Sequence, residues 1–303
     1  MGSTQRTLTP SNDNATPLAR MRILLGLFKL RIAFFIMITA LAGYAITPGQ
    51  TLSAWQFMVL ALSVLISSAS SGAFNQYFEY ETDRLMQRTR NRAFPSGTLR
   101  HSPAWLVLIG LLLFGAVVTA WYVLNPLAAF FVFLGAFFYA VVYTIWLKRR
   151  SWLNIVIGGL AGSFAVLAGA AAASPVPGMQ PLLLALVLFL WTPPHFWSLA
   201  IANHADYSAA NIPMLPVVVG DARAAQIVFA STLALVGVSL LPVFFGAGLI
   251  YFLGAFSGGG YFILRSWQLA RHPARETAMA SFFASFLQLG LLLLAATVDV
   301  LIR

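Results

Sequence analysis

Nine stretches of about twenty or more mainly apolar residues follow one another along the 303-residue chain, at 24–46, 55–74, 104–124, 126–147, 152–173, 181–201, 224–245, 248–269 and 278–301. A hydrocarbon layer about 30 Å thick takes about 20 helical residues to cross, and inside it the backbone amides of a helix bond within that helix. The recurrence of this length predicts an all-α polytopic membrane protein, a bundle of nine transmembrane helices. Composition agrees: 60% of residues are hydrophobic and 9% are charged, whereas a soluble domain carries about 25% charged residues. Asn125-Pro126 and the segment 175–178 (PVPG) punctuate the spans clearly, while only a short glycine turn at 244–248 divides the seventh from the eighth.

The charges then give an orientation. Every Lys and Arg except Arg303 falls at the N-terminus, at the edge of the first span, or in the loops after the second, fourth, sixth and eighth spans. All of these lie on one side of a nine-helix bundle, and the positive-inside rule makes that side cytoplasmic. This accounts for the net charge of +10 better than a nucleic-acid partner does, because no basic patch is interleaved with stacking aromatics. Membrane lipid is the expected surrounding and nucleic acid is not an expected partner. Every acid except Asp299 lies on the same side, so chemistry on a polar group belongs to the cytoplasmic face. Residues 1–19 are polar, without the basic start and short apolar core of a cleaved signal, and read as a disordered cytoplasmic tail before one transmembrane domain at 20–303. The chain has no cysteine, which removes disulfides, thiolate metal sites and thiol catalysis.

The densest polar cluster is 75–83 (NQYFEYETD), where the second span leaves the membrane. Asn75, Glu79 and Asp83 are spaced i, i+4, i+8, so a helix projects them from one face at intervals of about 6 Å. Oxygen ligands on one stripe suit a hard cation. Mg²⁺ in particular combines one or two carboxylates with waters and substrate phosphates. Arg84, Arg88, Arg90 and Arg92 follow, with the forked donors that phosphate oxygens accept. A solvated helix end with acid–base pairs fits the same spacing; against it stands the cost of keeping acids near a bilayer without a use for them.

Residues 75–89 (NQYFEYETDRLMQRT) resemble the N-x-x-x-D-x-x-x-D motif of the UbiA-type prenyltransferases. Within that superfamily, residues 83–89 are similar to the D-x-x-M-x-R-T of the haem O synthases. Glu79 stands where the family usually has Asp, and Ala93 where its N-R-P has Pro. Residues 206–218 (DYSAANIPMLPVV) resemble the haem O synthase segment D-Y-x-x-A-x-x-P-M-L-P-V-V, a longer match that favours this branch over quinone-making relatives. The residues just before it, Asn203, His204 and Ala205, depart from the basic residues the family often has there. The resemblance implies a UbiA-type fold with Asn75, Glu79, Asp83 and Asp206 as the catalytic, Mg²⁺-holding set. Further similar segments are 28–32 (FKLRI), 143–154 (YTIWLKRRSWLN) and 158–162 (GGLAG). They imply Lys29, Arg84, Arg88, Arg92, Tyr143, Lys148, Arg149, Asn154 and Tyr207 as substrate-binding residues. A topology anchor is the plainer role for at least one residue of the Lys148–Arg149–Arg150 run. His195, in 191–197 (WTPPHFW), stands at the family's P-H pair. A neutral imidazole there can ligate haem iron or orient a propionate, or it can be a buried histidine bonded to a neighbouring helix. Pro193-Pro194 is expected to bend that helix.

The implied reaction is transfer of a farnesyl group from farnesyl diphosphate to a vinyl group of haem b, giving haem O, at a bacterial inner membrane, with hand-over of the product to a haem A synthase or a terminal oxidase. Aromatics of the fourth span, namely Phe130, Phe131, Phe133, Phe137, Phe138 and Tyr139, are candidates for a dry lining, with lipid contact as the alternative for most. Two rival readings are a UbiA-type enzyme acting on an aromatic quinone precursor and an ion-coupled transporter. Transporter sites lie near the midplane on broken helices, whereas these acids sit at the membrane edge beside arginines. A catalytically inactive haem-handling assembly factor is a third.

Overall fold

In the computed structural model, which describes residues 16–302, the first expected span is two helices. α1 (Pro17–Leu27) and α2 (Leu30–Ala45) meet at 53°. Lys29, at the joint, is in the left-handed region with φ 47°, a conformation that costs an L-residue about 1 to 2 kcal/mol. Gln76 supports the break: its Nε2 donates to the carbonyls of Gly26 (2.8 Å) and Leu27 (3.0 Å) at the end of α1, where the last carbonyls of a helix lack partners within it. Residues 1–15 and 303 lie outside the described residues. They hold Arg6, Asp13, Arg303 and most of the tail expected over 1–19; α1 already begins at Pro17.

α3 (Ala54–Phe78) starts in a capping box between Ser53 and Gln56 and is continued, after a bend at Glu79, by the short α4 (Tyr80–Leu85). α5 (Ala104–Val123) faces lipid with Leu111 and Phe114, both exposed. α6 (Pro126–Phe137) begins where Asn125 accepts the amide of Ala128 at 2.8 Å, with Pro126 in the first turn. It runs on into a π-helical segment, Phe138–Leu147, closed by Lys148 N donating five residues back to Tyr143 O. Such segments concentrate at functional sites. Then come α7 (Asn154–Gly158), α8 (Leu160–Ala173), α9 (Met179–Ala202), α10 (His204–Ala209), α11 (Leu215–Val219), α12 (Asp221–Leu240) with a 3₁₀ turn at Leu241–Phe245, α13 (Leu249–Arg271) and α14 (Arg275–Ile302).

Among the described residues, seven helices are long and apolar enough to cross a membrane, or eight with the bent pair counted as one span. The remaining expected span corresponds to α13. It has 23 residues, but Ser257 and the run Gly258-Gly259-Gly260 dilute its apolarity. α9 passes as one helix through Pro193 and Pro194, the pair expected to bend it.

Two helices set the width of the interior. α2 and α8 cross in contact through Gly43 and Gly169. A Cβ on Gly169 would lie 1.8 Å from the carbonyl oxygen of Ala40, and one on Gly43 2.3 Å from that of Val166. Small residues allow such backbone approach in a membrane, where packing replaces the hydrophobic effect as the force between helices. At the end of the bundle where α3 and α9 emerge, Met86, Trp197, Tyr207, Ile212, Met214 and Leu215 form a buried cluster. It fastens the loop after α9 to the loop after α4.

Candidate active site

The polar stripe at the end of α3 and in α4 is buried in the fold rather than carried into solvent. Asn75, Glu79 and Asp83 are all buried, Asp83 completely. Each meets a cation from elsewhere in the chain. Lys29 Nζ donates to Asn75 Oδ1 at 2.6 Å and to the hydroxyl of Tyr139 at 3.2 Å. Lys148 pairs with Glu79 Oε2 at 2.5 Å, and Arg92 with Asp83 Oδ2 at 2.8 Å. The left-handed joint at Lys29 and the π-helical segment before Lys148 are what deliver these amines. Asn75 Nδ2 also donates to Thr144 Oγ1 (3.1 Å), within that segment. Arg92 reaches Asp83 because the loop folds back on itself, with Thr89 Oγ1 donating to the Asp83 carbonyl at 3.0 Å.

These groups sit at the rim of a cavity of about 1550 Å³, larger than the roughly 300–1,000 Å³ of a pocket for one drug-sized ligand. Arg22, Lys29, Arg31, Arg88, Arg92 and Lys148 line it, with Asp83 as the acid among them. Below the rim the wall is apolar and small: Gly135, Ala136, Gly158, Gly159, Gly162 and Ala165, with aromatic rings of α9 and α14 opposite. A Cβ on Gly158 would lie 2.9 Å from the Tyr143 ring, so glycine there keeps both the ring and the space. Of the fourth-span aromatics, Phe131 and Tyr139 line the cavity, while Phe130, Phe133 and Phe137 are exposed on the lipid side.

Not every expected residue comes to the cavity wall. Asn75, Asp83, Lys29, Arg88, Arg92, Tyr143, Lys148, His195 and Tyr207 do. Glu79 lies behind, holding Lys148. Asp206 accepts the backbone amides of Gln87 (3.2 Å) and Arg88 (3.1 Å), so it sets the arginine loop from outside the cavity. Arg84 donates to the Pro95 carbonyl at 3.3 Å, and Arg149 to the Thr82 hydroxyl. Asn154 is buried with its Nδ2 on the Lys148 carbonyl at 3.3 Å, shaping that turn. Among the described residues no three His, Cys, Asp or Glu side chains converge as a metal cage. Among the described residues one carboxylate oxygen is buried without a hydrogen-bond partner, Asp83 Oδ1. A single such carboxylate oxygen fits Mg²⁺, which takes most of its shell from water and substrate phosphate. Tyr139, Thr144 and Gln76 belong to the site without having been singled out for these contacts. Only Tyr139 had a sequence signal, lying one turn before Tyr143 on the same face.

A cationic rim over an apolar cavity inside a membrane-spanning bundle defines an integral membrane protein built for a substrate with an anionic head and a greasy body. The UbiA prenyltransferase family model matches residues 36–289, and the chain belongs to that family. Among similar proteins, protoheme IX farnesyltransferase 2 of Paramagnetospirillum magneticum is 52% identical over 94% of this chain and 99% of its own length. Protoheme IX farnesyltransferase 1 of the same organism is 43% identical over 90% and 96%. The fold is shared with a solved UbiA homologue of Archaeoglobus fulgidus bound to GPP and Mg²⁺, at TM-score 0.68 and 13% identity over 89% of this chain and 99% of that one. A solved digeranylgeranylglyceryl phosphate synthase aligns at TM-score 0.76 and 20% identity over 94% and 99%.

Proposed function

We propose that this protein transfers the farnesyl group of farnesyl diphosphate to a vinyl group of protoheme IX, forming haem O. The observation that carries this is a cavity lined by Lys29, Arg88, Arg92 and Lys148 together with Asp83, whose Oδ1 has no hydrogen-bond partner, and large enough for a prenyl chain and a porphyrin together. The identity of its relatives supports the choice of acceptor.

The roles follow from the charges. When the allylic C–O bond breaks, its electron pair leaves with diphosphate and the farnesyl C1 becomes electron-poor. Lys29, Arg88, Arg92 and Lys148 bind the departing anion where the apolar surroundings make each charge count for more than in water. Asp83, with Asn75 beside it, would hold Mg²⁺, which would supply Lewis-acid stabilisation of that anion. Glu79 and Asp206 are supports: Glu79 keeps Lys148 in register, and Asp206 keeps Arg88 and Arg92 over the rim. The glycine-lined wall and Tyr143 leave the farnesyl chain a dry channel that shields the cation from early capture by water. The vinyl π electrons form the new C–C bond to C1. The carbon left positive on the haem takes up water and loses a proton, giving the hydroxyethylfarnesyl side chain.

The rim faces the cytoplasm of a bacterial inner membrane in this reading, and the product passes on to a haem A synthase or a terminal oxidase. The test is purified protein in lipid nanodiscs with haem b, labelled farnesyl diphosphate and Mg²⁺. The expected result is Mg²⁺-dependent appearance of haem O with release of one diphosphate per haem. Prenylation of an aromatic acid in preference to haem would establish the quinone-precursor alternative instead, and intact farnesyl diphosphate would point to transport.

A further inference from the structure

His195 and Trp191 lie one turn apart on α9, and both dock on a single residue of α14. Trp191 Nε1 donates to the carbonyl of Ser285 at 2.9 Å, and His195 Nδ1 lies 2.6 Å from the Ser285 hydroxyl. That hydroxyl has one proton and a second neighbour, the Phe282 carbonyl, also at 2.6 Å. A carbonyl can only accept, so the serine proton goes to Phe282 and Ser285 accepts from the imidazole. His195 is therefore the Nδ1–H tautomer, and Nε2 carries a bare lone pair. Nε2 has no hydrogen-bond partner among the described residues and is not one of the sealed-off polar atoms, so it opens on the cavity that His195 lines. The ring is fixed face-on by Trp191 (4.1 Å) and Phe282 (4.5 Å), with Phe286 edge-on at 4.6 Å.

We propose that Ser285 is a positioning residue that holds His195 in this tautomer and orientation so that Nε2 binds the iron of the porphyrin substrate. A metal-ligating histidine nearly always gives its other N–H to an oxygen acceptor, which fixes the tautomer and raises ligand basicity. Trp191–His195–Ser285 has this form, with a flat aromatic surround suited to a macrocycle. His195 lies seven residues before the end of α9 at Ala202, about 10 Å below the rim at 1.5 Å per residue. Iron bound there leaves the rim to the diphosphate.

This rests on the haem reading above and is tested without turnover. Haem b is added to the protein in nanodiscs with no farnesyl diphosphate, and retained haem is measured beside its visible and resonance Raman spectra. Wild-type protein is expected to retain haem with an iron–histidine stretch in the ferrous state. His195→Ala loses that signature and regains an imidazole-ligated spectrum when free imidazole is supplied. Ser285→Ala lowers the stretching frequency and weakens haem retention about 10- to 100-fold, while Ser285→Thr, which keeps the hydroxyl, restores both. Haem retained by wild type without a histidine signature, or a signature that survives in His195→Ala, overturns the ligand assignment and leaves the substrate reading standing. A Ser285→Ala spectrum identical to wild type overturns the positioning role. Failure of the wild-type protein to retain any haem overturns this proposal together with the substrate reading.

Discussion

Lys148 and Glu79 form a pair almost shut off from solvent, with side chains 10% and 3% exposed. Removing one partner of such a pair strands the other, at a cost of about 3–5 kcal/mol, whereas replacing both with neutral groups is often nearly neutral for stability. Lys148→Met is thus expected to melt far below wild type in detergent. Lys148→Met/Glu79→Gln is expected to recover most of that loss in a thermal unfolding scan while staying inactive, because the diphosphate has lost a cation. Equal melting of the two variants would show that the pair is not the support assigned to it. The sequence made Asn75, Glu79 and Asp83 legible as a site by their spacing at a bilayer edge, where acids are costly to keep, and Lys29 and Lys148 by their family resemblance. It did not distinguish cavity wall from support. Glu79, Asp206 and Asp83 carry the same chemistry and all three have partners in the fold, yet only Asp83 also lines the cavity. Ser285 left no trace in the sequence and Gln76 stood in the polar cluster without its role showing, because their partners sit 90 and about 50 residues away on other helices.

At the scale of elements, apolar length alone revealed the helices, and positive charge ordered them. What length could not reveal was the joint at Phe28–Lys29, since Leu24 to Ile46 is continuously apolar apart from Lys29 and Arg31, and the signal for the break is a glutamine on another helix. The glycines of 158–162 were legible as a segment similar to the family's; the tighter α2–α8 crossing at Gly43 and Gly169 was not, because neither stands in a distinctive pattern. With the Cβ of any substituent at Gly169 set against the Ala40 carbonyl at 1.8 Å, the helices must separate. Gly169→Leu is expected to destabilise the fold by at least the roughly 1–3 kcal/mol of an overpacked core, read as a lowered melting temperature. Gly290→Leu, whose Cβ would meet nothing within 4 Å on α14, serves as the control and should melt like wild type.

For the whole molecule, a polar end with a cavity beneath it goes with the placing of nearly all charge, Asp299 and Arg303 apart, on a single side of the bundle. The absence of native cysteine makes that arrangement directly testable. Arg150→Cys is expected to react with a membrane-impermeant maleimide in inside-out vesicles and not in intact cells. Val176→Cys, on the exposed turn between α8 and α9, is expected to do the reverse, and labelling of both from one side would refute the orientation. Turnover hinges on Asp83, the one acid among the described residues that line the cavity. The most direct measurement is the rate of haem O formation by Asp83→Asn at saturating Mg²⁺. It should fall about 10²- to 10³-fold, the usual loss when one transition-state charge contact is removed, with haem retention unchanged. A wild-type rate, still dependent on Mg²⁺, would contradict it.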